Sequence, residues 1–218
     1  MATRLTIPIS EKQILALKVG DSVLLTGTVF TARDTAHKYM LDNFIRGRCP
    51  DSEKPVYEIL KQGLAGGAIY HCGPVVRKLE AGAAPRPLAA PHAPRYQFVA
   101  AGPTTSIREE PYQADIIAHF GLRAVIGKGG MGARTLKACQ QHGAVYLHAI
   151  GGAATLIAET VKEVVNVHKL DFGVPEAFWE IRVADFPAVV TMDAHGHSLH
   201  ETVLEASQNK LHELLARC

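Results

Sequence analysis

The chain has 218 residues, 47% of them hydrophobic and 20% charged, the proportions of a globular protein long enough to bury a real core. Its 23 lysines and arginines against 21 aspartates and glutamates leave a net charge of +2, which sets aside a strongly basic nucleic-acid or membrane-surface binder. No apolar run reaches the length of a membrane span, the opening MATRLTIPIS has no signal-peptide core, and a cytoplasmic location is expected.

In chain order, SVLLTGTVFTA (22–32) is rich in β-branched residues and reads as a strand, with Gly27 marking a bulge or a close backbone approach. DTAHKYMLDNFIRG follows, with Ala36, Tyr39, Met40 and Phe44 near helical spacing, so Arg33 sits at a strand-to-helix junction. GGAIYHCGPVV predicts a second short strand. Residues 80–98, EAGAAPRPLAAPHAPRYQF, hold four prolines and no periodicity, and read as a surface loop insertion within a single domain spanning 1–218.

Beyond GPTTSIR (102–108), a helix over QADIIAHFG, a buried strand RAVIG and the turn KGGMG are expected. Then come a helix over ARTLKACQQHG, a strand over AVYLHAIGG and a helix over the whole of AATLIAETVKEVVNVH (153–168). This alternation predicts an α/β layer with parallel strands. The tail predicts two strands within PEAFWEIRVADFPAVVTM, a turn at DAHGHS and a closing helix over ETVLEASQNKLHELLARC.

Several stretches carry chemistry. IGKGGMG places Lys128 at a glycine-rich turn before a helix, where backbone amides attract anions, but its spacing matches neither GxxxxGK[ST] nor GxGxxG. Taken alone, a glycine-rich connection with a solvated lysine is the favoured reading. Arg33 alone reads as a surface charge, and GPTTSIR, with Thr104, Thr105, Ser106 and Arg108, as a type I or II turn begun by Gly-Pro. His195, His197 and His200 in HGHSLH read as exposed turn histidines before a metal site. AIGGAATLI suits either an anion-binding helix start or close helix–strand packing. The four cysteines, Cys49, Cys72, Cys139 and Cys218, are scattered, which favours free thiols over disulfides or a metal site. Taken together, Arg33, Arg108 and Lys128 at three strand ends say more than each alone. Ligands of parallel α/β sheets bind beyond the carboxyl ends of strands, and arginine grips carboxylates bidentately. The inferred ligand is a small polyanion.

At these residues the sequence resembles the β subunit, or C-terminal domain, of the class I iron–sulfur hydro-lyases, class I fumarase and L-tartrate dehydratase. The resemblance is carried by VGDSVLLTGTVFTARDTAHKYM, YHCGP, AAGPTTSIR, VIGKGGMG, GAVYLHAIGGAA and DFGVPEAFWEIRVADFPAVVTMDAHGHSLHE. It implies a swivelling β/β/α domain, and a partner α subunit or domain whose three cysteines ligate a [4Fe–4S] cluster, with no metal ligand on this chain. It also implies that Arg33, Arg108 and Lys128 bind substrate carboxylates and that Thr104, or alternatively Thr105, abstracts the proton. A threonine hydroxyl is not ionised at neutral pH unless its site perturbs it strongly. The substrate implied is malate and fumarate, or else tartrate or a substituted malate. The assembly implied is a heterotetramer with the α subunit or a homodimer of this chain, without nucleic acid or membrane. From a different class, a standalone α/β module holding a phosphate or nucleotide on GKGGMG also fits the residues.

Overall fold

The computed structural model describes residues 1–79 and 95–216. The first half runs β1 (Thr3–Thr6), α1 (Glu11–Leu15), β2 (Ser22–Thr31), α2 (Asp34–Met40), α3 (Lys54–Leu64), β3 (Ala68–Tyr70), β4 (Val75–Leu79) and β5 (Arg95–Ala100). The second runs α4 (Glu110–Phe120), β6 (Ala124–Gly127), α5 (Ala133–His142), β7 (Val145–His148), α6 (Ala154–Thr160), β8 (Val161–His168), β9 (Phe178–Met192) and α7 (Leu199–Leu215). A mixed sheet in the order β1-β2-β3-β6-β7-β9-β8 dominates, with β4 and β5 as a separate antiparallel pair.

The neighbours β1, β2, β3, β6 and β7 are parallel, as expected, but β9 is antiparallel to β2, β7 and β8. Because β9 pairs with both β7 and β2, the strands β2, β3, β6, β7 and β9 form a closed ring of hydrogen-bonded neighbours. The period-2 alternation of the strands builds two cores. Ile69, Val125 and Tyr146 pack with Met40, Leu60, Ile116, Phe120 and Cys139 under the helices. Tyr70, Ile126 and Leu147 face the other way, onto Leu25, Trp179, Ile181, Phe186 and Val190.

The bulge expected at Gly27 is present: the β2–β9 register shifts between Leu25 and Gly27. Gly27 holds φ +134°, and a Cβ there would fall 2.9 Å from the Ile7 side chain, so both the turn and the contact require glycine. Opposite it, Asp185 adopts φ 52° and lets β9 bend without breaking. One 15-residue strand therefore replaces the two expected in the tail.

The helix expected over 153–168 is also corrected. It ends at Thr160, and Val161–His168 continue as β8. Valines at 161, 164, 165 and 167 favour the pleated surface beside β9, where Val164 and His168 are buried and Lys162 and Asn166 are exposed. The expected 80–98 loop is shorter at its C-terminal end, since Arg95–Phe98 belong to β5; residues 80–94 lie outside the described residues. The turn at Asp193–Ser198 forms as read and is closed by a Met192–Ser198 bridge. The last helix begins at Leu199, two residues earlier than expected, and leaves Val203, Leu204 and Leu211 exposed. Among the described residues, no helix is long and apolar enough to cross a membrane.

Candidate active site

The parallel strands deliver their exits to one edge of the sheet. β2 ends one residue before Ala32, whose N–H bonds Tyr70 O at 3.0 Å, and Arg33 then serves as the N-cap of α2. Arg33 Nε lies 3.5 Å from Glu176 Oε1, and its Nη2 lies 3.9 Å from Asp34 Oδ2. Gly73, just after β3, makes room for this side chain: a Cβ there would fall 3.0 Å from Arg33 Cδ and 2.9 Å from Pro175 Cβ. The sequence-predicted cation is therefore not a loose surface charge but a side chain threaded between two loops.

The 102–108 stretch fits between the exits of β3 and β6. The Thr104 N–H donates to His71 O at 2.7 Å, the Lys128 N–H to Thr104 O at 3.3 Å, and the Ser106 N–H to Lys128 O at 2.9 Å. Thr105 and Lys128 thereby form a parallel bridge, and Cys72 and Pro103 an antiparallel one. Thr104 is half-buried, Thr105 exposed and Ser106 buried. A 3-10 turn over Ser106–Glu109 then swings Arg108 to Asp34, which accepts from Arg108 Nε at 3.0 Å and from a second guanidinium nitrogen.

The five predicted site residues fall into two groups at the strand exits. Arg33 and Arg108 converge on Asp34, and Thr104 and Thr105 are paired with Lys128 through the main chain. The Asp34 contact occupies one edge of the Arg108 guanidinium, and the five-donor fork leaves another edge for a ligand. The glycines of KGGMG work as conformers: Gly129 and Gly130 both hold φ +80°, and the His200 ring packs where a Gly130 Cβ would stand. Of the three expected turn histidines, His195 and His197 are exposed, with Asp193 accepting from both of their N–H groups. His200 is different, half-buried against the glycine turn with Nε2 3.0 Å from Thr191 Oγ1.

Sequence reasoning missed the buried polar layer beneath this edge. His71 Nδ1 lies 2.9 Å from Ser106 Oγ, and that oxygen accepts from Tyr146 O–H at 2.9 Å. His71 and His37 meet edge to face at 4.9 Å, with their Nε2 atoms 2.8 and 3.1 Å from Gln113 Oε1. His37 Nδ1 donates to Arg33 O at 2.9 Å and lies 3.8 Å from the buried Glu109 carboxyl. Burial pushes the Glu109 carboxyl up to about 8, helped by the negative charge of Asp34, and burial pushes both histidines down, His71 furthest. Both shifts favour the neutral forms of the close pair His37 and Glu109 over an ion pair. The one signal for this layer was the histidine of YHCGP, which no periodicity distinguishes from a core residue.

Two of the four cysteines lie in the core. Cys72 and Cys139 are buried, and burial pushes both thiols up to about 12, against the thiolate form that ligates metals. Among the described residues, no group of three or more His, Cys, Asp or Glu side chains is placed to hold a metal ion.

This edge, with its cations, hydroxyls and glycine turn, lies within a chain that belongs to the fumarase C-terminus family, whose model matches residues 2–203. Among individual relatives, the chain is 50% identical to a protein of Geobacillus stearothermophilus provisionally named a class I fumarate hydratase, over 94% of this chain. It spans only 34% of that relative's length. It is 37% identical to a protein of Methanocaldococcus jannaschii provisionally named L(+)-tartrate dehydratase subunit beta, covering 95% of both chains. It is 35% identical to L(+)-tartrate dehydratase subunit beta of Escherichia coli K12, over 89% of this chain and 85% of that one.

Proposed function

We propose that this chain is the β subunit of a hydro-lyase that interconverts a 2-hydroxy dicarboxylate and its dehydrated product, malate and fumarate before tartrate or a substituted malate. A swivelling β/β/α domain is the matching fold reading, supported by the strand ring with α2, α3, α4 and α5 packed on one core and α1 and α6 on the other. The observation that supports this reading is that Arg33 and Arg108 share Asp34, while the main chain of Lys128 is tied to the Thr104–Ser106 turn, all at the exits of β2, β3 and β6. Three cations suit a dianion, and the guanidinium forks suit its carboxylates. Removing the proton next to a carboxylate builds negative charge on that carboxylate, and fixed cations beside it stabilise the transition state.

In this reading Arg33, Arg108 and Lys128 hold the carboxylates, and the half-buried Thr104 side-chain oxygen, ionised by its site, takes the proton and becomes the hydroxyl, with the exposed Thr105 as the alternative. The [4Fe–4S] cluster implied by the resemblance belongs in this reading to a partner α subunit in a cytoplasmic assembly, which is supported by the burial of Cys72 and Cys139 away from the thiolate form. The test is co-expression with a cluster-bearing partner and steady-state kinetics on malate, tartrate and substituted malates. Turnover only in the complex is expected. Tight nucleotide binding by the chain alone in calorimetry, with no turnover in the complex, would overturn the reading in favour of a nucleotide-binding module.

A further inference from the structure

In the buried layer under the site, the hydrogen-bond partners of two imidazoles and one amide decide the tautomer of His71. Gln113 Oε1 faces both imidazole Nε2 atoms, at 3.1 Å from His37 and 2.8 Å from His71, while Gln113 Nε2 has no partner. In that orientation both Nε2 atoms must donate. His37 Nδ1 must donate as well, because its partner is the Arg33 carbonyl oxygen, 2.9 Å away, which only accepts. His37 would then be a fully buried imidazolium. Turning the amide over removes the conflict: its two N–H bonds supply one hydrogen to each Nε2 lone pair, and both rings stay neutral. Each ring's single proton then sits on Nδ1, so His71 donates to Ser106 Oγ at 2.9 Å.

His71 also holds the same turn through its main chain, since its carbonyl accepts the Thr104 N–H at 2.7 Å. Gly127 gives the arrangement room, because a Cβ there would stand 3.1 Å from Tyr146 Oη and strike Ser106. Arg108, by contrast, is anchored separately, by Asp34.

We propose that His71 is a positioning residue for the Thr104 hydroxyl: as the Nδ1–H tautomer set by Gln113, it pins the 104–106 turn by both ring and main chain. The inference rests on the hydro-lyase reading only for its effect on turnover. Loss of the ring contact releases Thr104 while Arg108 stays fixed, so kcat falls and KM holds.

Two measurements on the full chain and its complex test this. Long-range proton–nitrogen NMR of the wild-type chain reads the tautomer directly, without substitution or substrate. A His71 ring protonated on Nδ1 alone is expected; a ring protonated on Nε2, or on both nitrogens, overturns the assignment. The second measurement compares His71→Asn, whose amide nitrogen falls near Nδ1 and keeps the Ser106 contact, with His71→Gln, whose amide nitrogen falls near Nε2 and loses it. In the complex, the asparagine variant should keep kcat within about threefold, and the glutamine variant should lose about tenfold or more with KM unchanged. Equal losses in step with melting temperature would make His71 a packing residue. A wild-type complex that turns over no dicarboxylate sinks the hydro-lyase reading alone. The tautomer, and amide-exchange protection of Thr104 in the two variants, then decide the positioning role, with equal protection in both overturning it.

Discussion

Arg108 Nε donates to Asp34 Oδ1 at 3.0 Å while a second guanidinium nitrogen reaches Asp34 Oδ2, a two-point contact between residues 74 positions apart in sequence. Arg33 approaches the same carboxylate, 3.9 Å from Oδ2. Asp34 therefore aims two of the three proposed substrate cations, while its charge offsets part of theirs. The Arg108 side chain is half exposed, so the pair contributes at most about 1 kcal/mol to stability. Asp34→Ala should leave the melting temperature within a few degrees but raise KM several-fold, because both guanidinium planes lose their orientation. Thermal melts and steady-state kinetics of the complex check this, and an unchanged KM would mean the aim of the guanidinium groups does not matter.

Removing a cation outright should do more. Loss of one charge-assisted contact costs about 1.5–3 kcal/mol, which corresponds to ~10- to 100-fold in kcat/KM. Arg33→Ala and Lys128→Ala should each show this, chiefly in KM. Values within twofold of wild type would return these residues to ordinary surface charges.

Much of this site was legible because its parts are local. Arg33, Arg108 and Lys128 each follow a recognisable strand or turn, and the rule that ligands bind beyond strand ends brings them together without coordinates. Asp34, Glu176 and Glu109 were not legible, because their roles come from approaches across 74, 143 and 72 positions that no window contains. The same limit explains the fold errors. Residues 161–168 lie beside apolar helical neighbours in sequence, and only pairing with β9 makes them a strand. At β9, Asp185 resembles a turn residue, and only the Gly27 bulge opposite shows that the strand bends and continues.

Glu109 should give stability a definite pH dependence. Its carboxyl is fully buried and pushed up to about 8, from an ordinary value of 4.5, by burial first and then by Asp34, with Arg108 opposing and Glu176 adding. Between these two values the unfolded chain has released the proton that the folded chain keeps. Its contribution to stability is therefore fully present below about 4.5, declines as pH rises, and levels off above about 8. Glu109→Gln removes the titration, so the variant should gain on wild type by up to a few kcal/mol between pH 5 and pH 8. Urea unfolding of both proteins at the two pH values reads the difference, and a gap independent of pH would show that Glu109 is ionised throughout. His37 and His71, whose pKa values are lowered, act with the opposite slope below about 6.5 in both proteins, and His37 does so 3.8 Å from the substituted carboxyl.

The strand pair β4–β5 sets a prediction for the proline-rich insertion. Leu79 and Arg95 are paired residues, so their main chains lie opposite each other at the mouth of the intervening segment. Antiparallel partners at that separation can be joined by a two-residue turn of the Asn-Gly type. Replacing residues 81–93 by such a turn should therefore keep the melting temperature within a few degrees, since shortening a loop costs little closure entropy. A collapse of the melting temperature on differential scanning calorimetry would show that the segment packs against the rest of the protein.

Thr104→Val should abolish turnover while leaving fold and substrate binding largely intact. The main chain at Thr104 is tied on both sides, its N–H to His71 O at 2.7 Å and its carbonyl to the Lys128 N–H at 3.3 Å, so the substitution leaves the backbone held. Valine keeps the shape of threonine and removes only the hydroxyl, and the cations that hold the substrate stand on other residues. An interaction used only in the transition state affects kcat with little change in ground-state binding. Thr105→Val is the matched control: Thr105 is exposed, with its methyl 3.8 Å from where a Gly129 Cβ would stand, and its loss should cost far less. Solvent-deuterium exchange into malate, measured beside kcat in the complex, separates proton abstraction from later steps. Exchange and turnover near wild-type rates in the Thr104 variant, with loss in the Thr105 variant, would transfer the proton-accepting role to Thr105. Persistence in both would place it on the partner subunit.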